Sequence, residues 1–204
     1  MINYDFIYTI LAQYEGKAYT RGYIPCDGGT WFGGLDPYKG EPQGASGVTI
    51  ATGVDLGQQT RVGLKSMGVS DETLAILDPY IGLQKKSAMQ KLKEAPLAIT
   101  PERVKEIDDA VHEHYIMGTA LKFGRENFEA APKEVQAVAV SLCYQFGTPF
   151  RAVSPGLGLA WEALRVDNYK EAALHLANPK GWSVDHQKYL SRRRQEAMLL
   201  NAIG

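Results

Sequence analysis

The spacing of apolar side chains changes character twice along this chain. In residues 2–14, Ile2, Phe6, Ile7, Ile10, Leu11 and Tyr14 fall on one face at helical spacing. Glu15-Gly16 supplies the stop, with Gly16 suited to the position just past a helix end. The helical period vanishes over residues 17–57. That stretch holds ten glycines (Gly22, Gly28, Gly29, Gly33, Gly34, Gly40, Gly44, Gly47, Gly53, Gly57) together with Pro25, Pro37 and Pro42. Short β-prone pieces at 18–20 and 48–50 predict small strands between turns, in a sheet of two or three strands.

Helical spacing returns at Gln58 and persists. Ser70 caps a predicted helix through Leu74 and Leu77, and residues 83–94 give another. Thr100-Pro101-Glu102 is a start signal, a cap followed by proline at the first helical position, and Val104, Ile107, Val111 and Tyr115 continue the stripe. Pro132-Lys133-Glu134 opens a helix with Val135, Val138, Ala139, Leu142 and Phe146 inward. Helices over 155–164, 167–176 and 186–203 follow, with a turn at Asn178-Pro179-Lys180-Gly181. No internal repeat interrupts the series. The predicted class is α+β, one domain over residues 1–204. It has a small glycine-rich β lobe at about 16–57, a larger helical lobe of 1–15 and 58–204, and a ligand cleft expected between them.

Composition narrows the function. A chain of 204 residues with 45% apolar and 22% charged side chains can bury roughly 70% of its unfolded surface, so it folds without a metal or a disulfide framework. A formal charge of -1 argues against binding nucleic acid through bulk charge. No apolar run approaches the roughly 20 residues of a bilayer span, so stable membrane insertion is not expected. Met1-Ile2-Asn3-Tyr4-Asp5-Phe6 lacks the basic region of a secretory signal. Cys26 and Cys143 would pair only outside the cytosol; the expectation is one buried thiol and one in a loop.

Residues 17–57 carry Tyr19, Tyr23, Trp31, Phe32 and Tyr38, and long aromatic loops in compact domains are usually functional. Carboxylates flank them, Glu15 before and Asp55 near the end. Paired carboxylates on a rigid frame suit glycoside hydrolysis.

Tyr14-Glu15-Gly16-Lys17-Ala18-Tyr19 resembles the opening of phage-type lysozymes, where a first helix ends in Glu-Gly before an aromatic strand. Val48-Thr49-Ile50-Ala51-Thr52-Gly53 resembles that family's Thr-Ile-Gly-x-Gly strand, with Ala51 in place of the first glycine. Thr49 followed six residues later by an aspartate in Gly53-Val54-Asp55-Leu56-Gly57 is similar to the pesticin-like branch of bacteriocin and effector muramidases. The likeness is strongest over 14–57. It is weaker over 135–147, which ends Tyr144-Gln145-Phe146-Gly147, and weaker again over 182–199. The stretch between Glu15 and Thr49 is longer than in typical members, which points to an insertion near 26–44.

The resemblance implies a lysozyme-like muramidase that hydrolyses the β-1,4 bond between N-acetylmuramic acid and N-acetylglucosamine in peptidoglycan. Glu15 would be the general acid, and Asp55 with Thr49 would position water. Ordinary phage lysozymes carry their aspartate between the glutamate and the threonine, a place Asp27 or Asp36 would fill; Asp55 is preferred because its motif matches. The threonine-containing type leans towards inversion. Tyr19, Trp31, Phe32 and Gln145 are candidate substrate contacts. No metal or organic cofactor is implied. A phage endolysin and an antibacterial effector both fit, the latter with a cognate immunity protein as partner. Action in the periplasm or on the cell wall would follow delivery by a holin, a secretion system or lysis. The alternatives are a chitinase- or chitosanase-type glycosidase and a non-catalytic cell-wall-binding module.

Physical reasoning sets the demands on the two carboxyl groups. A general acid near neutral pH needs a pKa raised from about 4.3, and the negative end of a helix dipole at Glu15 pushes that way. Asp55 must instead be ionised; it could also, or only, cap the helix beginning near Leu56. Elsewhere the blander readings are preferred. Asp108, Asp109, His112 and His114 form a solvated helix face; Cys143, Trp161 and Trp182 are core; Arg192-Arg193-Arg194 either binds anionic stem peptides or is an exposed helix face.

Overall fold

The computed structural model describes residues 1–147, 155–178, 180 and 189–204. These form ten α-helices and a four-stranded antiparallel sheet, an α+β chain as the pattern predicts. Two compact units emerge, one of residues 15–114 and one of residues 1–14 with 115–204.

The unit 15–114 is built on the sheet. Its strands β1 (Tyr19–Cys26), β2 (Gly29–Trp31), β3 (Thr49–Ala51) and β4 (Val54–Asp55) lie in the order β2-β1-β3-β4. The expectation of two or three strands was too low, because β2 and β4 are too short to carry an alternation. One face, with Ile24, Trp31, Ile50 and Val54, is buried. Helices α2 (Arg61–Met67), α3 (Asp71–Leu77), α4 (Lys85–Glu94) and the first part of α5 (Pro101–Phe123) complete this unit. Ser70 caps α3 as predicted, its hydroxyl accepting from the Thr73 amide, and Thr60 does the same for α2. The stripe Val104, Ile107 and Val111 of α5 is buried.

A close backbone approach fixes the strand entry to the site. A Cβ at Gly47 would meet Leu83 O at 2.4 Å and Gly57 Cα at 2.6 Å. A Cβ at Gly57 would meet Leu83 O at 2.6 Å and Gly47 Cα at 2.8 Å. Only hydrogen fits at either position.

The other unit is helical. It holds α1 (Tyr4–Glu15) up to Tyr14, the end of α5, α6 (Arg125–Ala130), α7 (Lys133–Phe146), α8 (Pro155–Arg165), α9 (Tyr169–Ala177) and α10 (Leu190–Asn201). Every residue of 135–143 is buried, so α7 is the central helix of this unit, including Cys143. Trp161 is also core, whereas Trp182 and the start of the predicted 186–203 helix lie outside the described residues. Both cysteines are free and buried. Cys26 sits at the end of β1 rather than in a loop, and burial pushes the Cys143 thiol up to about 11. Gln136 ties down the N-terminus: its Oε1 accepts from the Asn3 amide, and its Nε2 donates to the carbonyls of Met1, Phe128 and Ala131.

Neither expectation for the three arginines describes them all. Arg193 is fully buried with Glu196, bonded at 2.7 Å, while Arg192 is largely buried over the Tyr14 ring and only Arg194 faces solvent. Ser141 donates to the same Glu196 carboxylate. Burial pushes the Glu196 carboxyl up, and Arg193 and Arg192 pull it back. Three consecutive helical residues span about 200° of the helix; Arg193 shares its inward side with Glu196, Ala197 and Leu200.

Two stability outcomes follow, each read by denaturant unfolding. Gly47→Ala is expected to cost about 1–3 kcal/mol, since the contact is backbone on backbone. Arg193→Ala is expected to cost about 3–5 kcal/mol by removing the nearer of the two cations beside a buried carboxylate and leaving only Arg192.

Candidate active site

Glu15, Thr49 and Asp55 all belong to the unit 15–114. Glu15 is the last residue of α1, and Gly16 follows in a left-handed conformation, φ +83°, which turns the chain out of the helix. Its carboxylate is half-buried against the β3–β4 turn: Oε2 lies 3.6 Å from where a Cβ on Gly53 would stand. Gly53, with φ +83°, gives the turn its shape, and the carboxylate lies at ordinary contact distance from it.

The sheet register lines up the other groups. Tyr23 pairs with Thr49, and Thr49 pairs with Asp55. Residues directly opposite in a ladder share a face with Cβ atoms about 4.5–5.5 Å apart. Three side chains on three adjacent strands thus stand in a row. The Tyr23 phenol is pushed up to about 12, first by burial, then by Tyr19, Glu15 and Asp55. Both carboxyl groups are therefore close enough to Tyr23 for their charges to be felt there. Tyr23 was not among the candidate contacts. It is the position of β1 facing the threonine, a register that only the strand pairing reveals.

Asp55 is held by its backbone neighbours. Its Oδ1 accepts from the amides of Gly47 at 3.0 Å and Gly57 at 2.8 Å, and it caps the short 3-10 turn Leu56–Gln58. Among the described residues Oδ2 takes no hydrogen bond. Burial raises the Asp55 pKa, and the two amides pull it down. The Thr49 hydroxyl is buried and reaches Gly47 O only at 3.5 Å, the outer limit of a hydrogen bond, so it retains capacity for another partner.

Of the other candidates, Tyr19 and Phe32 form an aromatic cluster with Tyr23. Ring centroids are 4.8 Å apart for Tyr19 and Tyr23, 5.5 Å for Tyr19 and Phe32, and 6.0 Å for Tyr23 and Phe32. The Arg21 guanidinium lies 5.1 Å from the Phe32 ring centre. Trp31 is placed differently. It pairs with Ile24, on the face opposite Thr49, and its indole donates to Asp36 O. There it lines a separate pocket of about 310 Å³ with Tyr38, Lys86, Met89 and Lys93. Gln145, in the helical unit, accepts from Arg193 Nη2 at 2.7 Å.

The solvated-face expectation fails for part of α5. His114 is exposed, but His112 is 8% exposed, and burial holds its pKa below the usual histidine range. Asp108, Glu15 and Asp109 pull it the other way, which places His112 within reach of the Glu15 charge. One turn earlier, Asp108 accepts from the Thr52 amide at 2.9 Å and from the Thr52 hydroxyl at 2.8 Å. No group of three or more His, Cys, Asp and Glu side chains gathers to hold a metal among the described residues.

The raised Asp55 pKa has a testable sign. A carboxyl whose folded pKa lies above its unfolded value, about 3.9, costs stability as pH rises through that window, because the unfolded chain releases the proton first. Asp55→Asn keeps an oxygen for the two amides and removes the disfavoured charge. Its melting temperature at pH 7 is expected to match or exceed the parent's, by up to about 4 °C, with the gap closing below about pH 4. Thermal melts across pH 3.5–7 check this.

Residues 2–170 match the pesticin family, described as a bacterial toxin homologue of phage lysozyme, C-terminal. No curated protein matches the chain. The matched span includes Glu15, Thr49 and Asp55 and covers most of the chain, which belongs to the pesticin family of phage lysozyme-like bacterial toxins.

Proposed function

We propose that the chain is a muramidase: it hydrolyses the β-1,4 bond from N-acetylmuramic acid to N-acetylglucosamine, with Glu15 as proton donor and Asp55 with Thr49 as the water-holding pair. Family membership supports the coarse reading, a lytic toxin directed at peptidoglycan. The observation that carries the finer one is the row Tyr23–Thr49–Asp55, with the Glu15 carboxylate against the turn that joins the last two strands.

Each group has a task that its surroundings suit. Glu15, at a helix end beside Gly53, reaches a leaving-group oxygen from one side. Asp55 presents Oδ2, since Oδ1 is bound by two amides, and the Thr49 hydroxyl shares the same water as donor or acceptor. Water attacks the anomeric carbon from the face opposite the leaving group, which inverts the configuration. The rings of Tyr19, Tyr23 and Phe32 offer an apolar surface for sugar faces. Because burial raises the Asp55 pKa, the acid limb of the rate profile is expected above the usual aspartate range.

The polymer lies outside the cytoplasm, so the enzyme works after delivery there by a holin, a secretion system or lysis. A producer whose own wall is exposed to it needs a cognate immunity protein.

Purified sacculi give the test. The parent protein is expected to clear them and to release new reducing ends on muramic acid. Glu15→Gln should lower the rate at least about 100-fold with an unchanged melting temperature. Clearing without new reducing ends, full activity of Glu15→Gln, or equally fast cleavage of soluble chito-oligomers would each contradict the reading.

A further inference from the structure

The reversal between β3 and β4 carries both proposed water-holding groups, Thr49 at its start and Asp55 at its end, and it is an unfavourable piece of backbone. Its register leaves only residues 51–53 to turn the chain. Two of these three are left-handed: Gly53 at φ +83° and Ala51 at φ +53°. Alanine resists that conformation because its Cβ crowds the following carbonyl. The lysozyme-type motif has glycine at this position, yet Ala51 adopts the glycine-like geometry while fully buried. Something other than local preference holds the turn.

The residue between the two left-handed positions is Thr52, 7% exposed. Its amide and its hydroxyl both end on one carboxylate 56 residues away, the amide on Asp108 Oδ1 at 2.9 Å and the hydroxyl on Asp108 Oδ2 at 2.8 Å. A bidentate, charge-assisted clamp of this kind fixes position and orientation together. Asp108 lies one turn before His112 on α5, and His112 feels the Glu15 charge. The helix that grips the turn is thus also the one beside the proposed acid.

We infer that Asp108 is a positioning residue, which clamps Thr52 and so sets Thr49 and Asp55 in register with Glu15 across the strained β3–β4 turn. The inference rests on the muramidase reading for its kinetic consequence and on the Thr52 hydrogen bonds for its structural one.

The experiment pairs kinetics on sacculi with amide hydrogen exchange. In Asp108→Ala the Thr52 amide should exchange at least tenfold faster, whether or not the protein cleaves anything. The kcat should fall about 10–100-fold with KM changed less than twofold, because the contacts that bind sugar stay and the attack geometry loosens. Asp108→Asn should restore most of kcat: its amide oxygen still accepts from the Thr52 N–H, and its NH2 donates to the Thr52 hydroxyl. Ala51→Gly in the Asp108→Ala background should recover part of the loss by relieving the turn. An unchanged Thr52 exchange rate overturns the clamp, and this arm is independent of catalysis. Unchanged kcat, a loss confined to KM, or an Asp108→Asn enzyme as slow as Asp108→Ala overturns the positioning role. Should Asp108→Ala fail to fold, Thr52→Val removes the hydroxyl bond at equal volume. A kcat unchanged in that variant contradicts the inference; a threefold to tenfold fall supports it. A parent protein that does not cleave sacculi refutes the muramidase reading and leaves the exchange arm to judge the clamp.

Discussion

The backbone reversal from Thr49 to Asp55 is the constraint on which the site depends. Nothing in a three-residue strand, the two residues that follow it and a two-residue strand makes that shape stable alone. It exists because its neighbours enforce it. Gly47 and Gly57 approach closely enough to exclude any Cβ, Asp55 ties their two amides to one oxygen, and β1 pairs along the outer side of β3. The same contacts that shape the hairpin immobilise the aspartate, so structure and proposed chemistry use one set of hydrogen bonds. A strained, over-determined segment beside reactive side chains is where functional sites are commonly found.

Electrostatics then separates the roles of groups that sit close together. Burial acts in opposite senses on the acids and bases here: it raises Asp55 and Tyr23 and lowers His112. For Asp55 the backbone amides of Gly57 and Gly47 counter part of that cost. Polar groups that the proposed chemistry does not use are spent on architecture. Gln136 uses its amide to hold the N-terminus, and the fully buried Arg193 and Glu196 bind Gln145 and Ser141, which ties α10 to α7 within their unit.

Legibility in the sequence followed the physics of each element. The end of α1 at Glu15-Gly16 and the caps of α3 and α5 were plain, since a cap or a proline leaves a local mark. The β-prone residues 48–50 marked β3, but β2 and β4, of three and two residues, left no mark and emerged only from pairing. The placement of Trp31 came with that pairing, opposite Ile24 on the buried face, while Phe32 lies just past β2. The placements of Asp108 and His112 were recoverable by stricter use of periodicity. Asp108 and His112 each follow a stripe residue, Ile107 and Val111, and so border the buried face of α5 instead of lying opposite it. What no pattern within the chain supplies is the clamp between Thr52 and Asp108, because it is a contact between residues 56 positions apart.

The central claim is that Asp55 and Thr49 deliver water to one face of a sugar whose leaving group takes its proton from Glu15. The configuration of the fresh reducing end reports on this directly. Proton magnetic resonance of peptidoglycan fragments during the first minutes of digestion, before mutarotation, is predicted to show the α-anomer of N-acetylmuramic acid, the product of inversion at a β-linkage. The β-anomer appearing first would contradict the account, since retention requires a nucleophilic carboxylate in place of an aspartate that holds water.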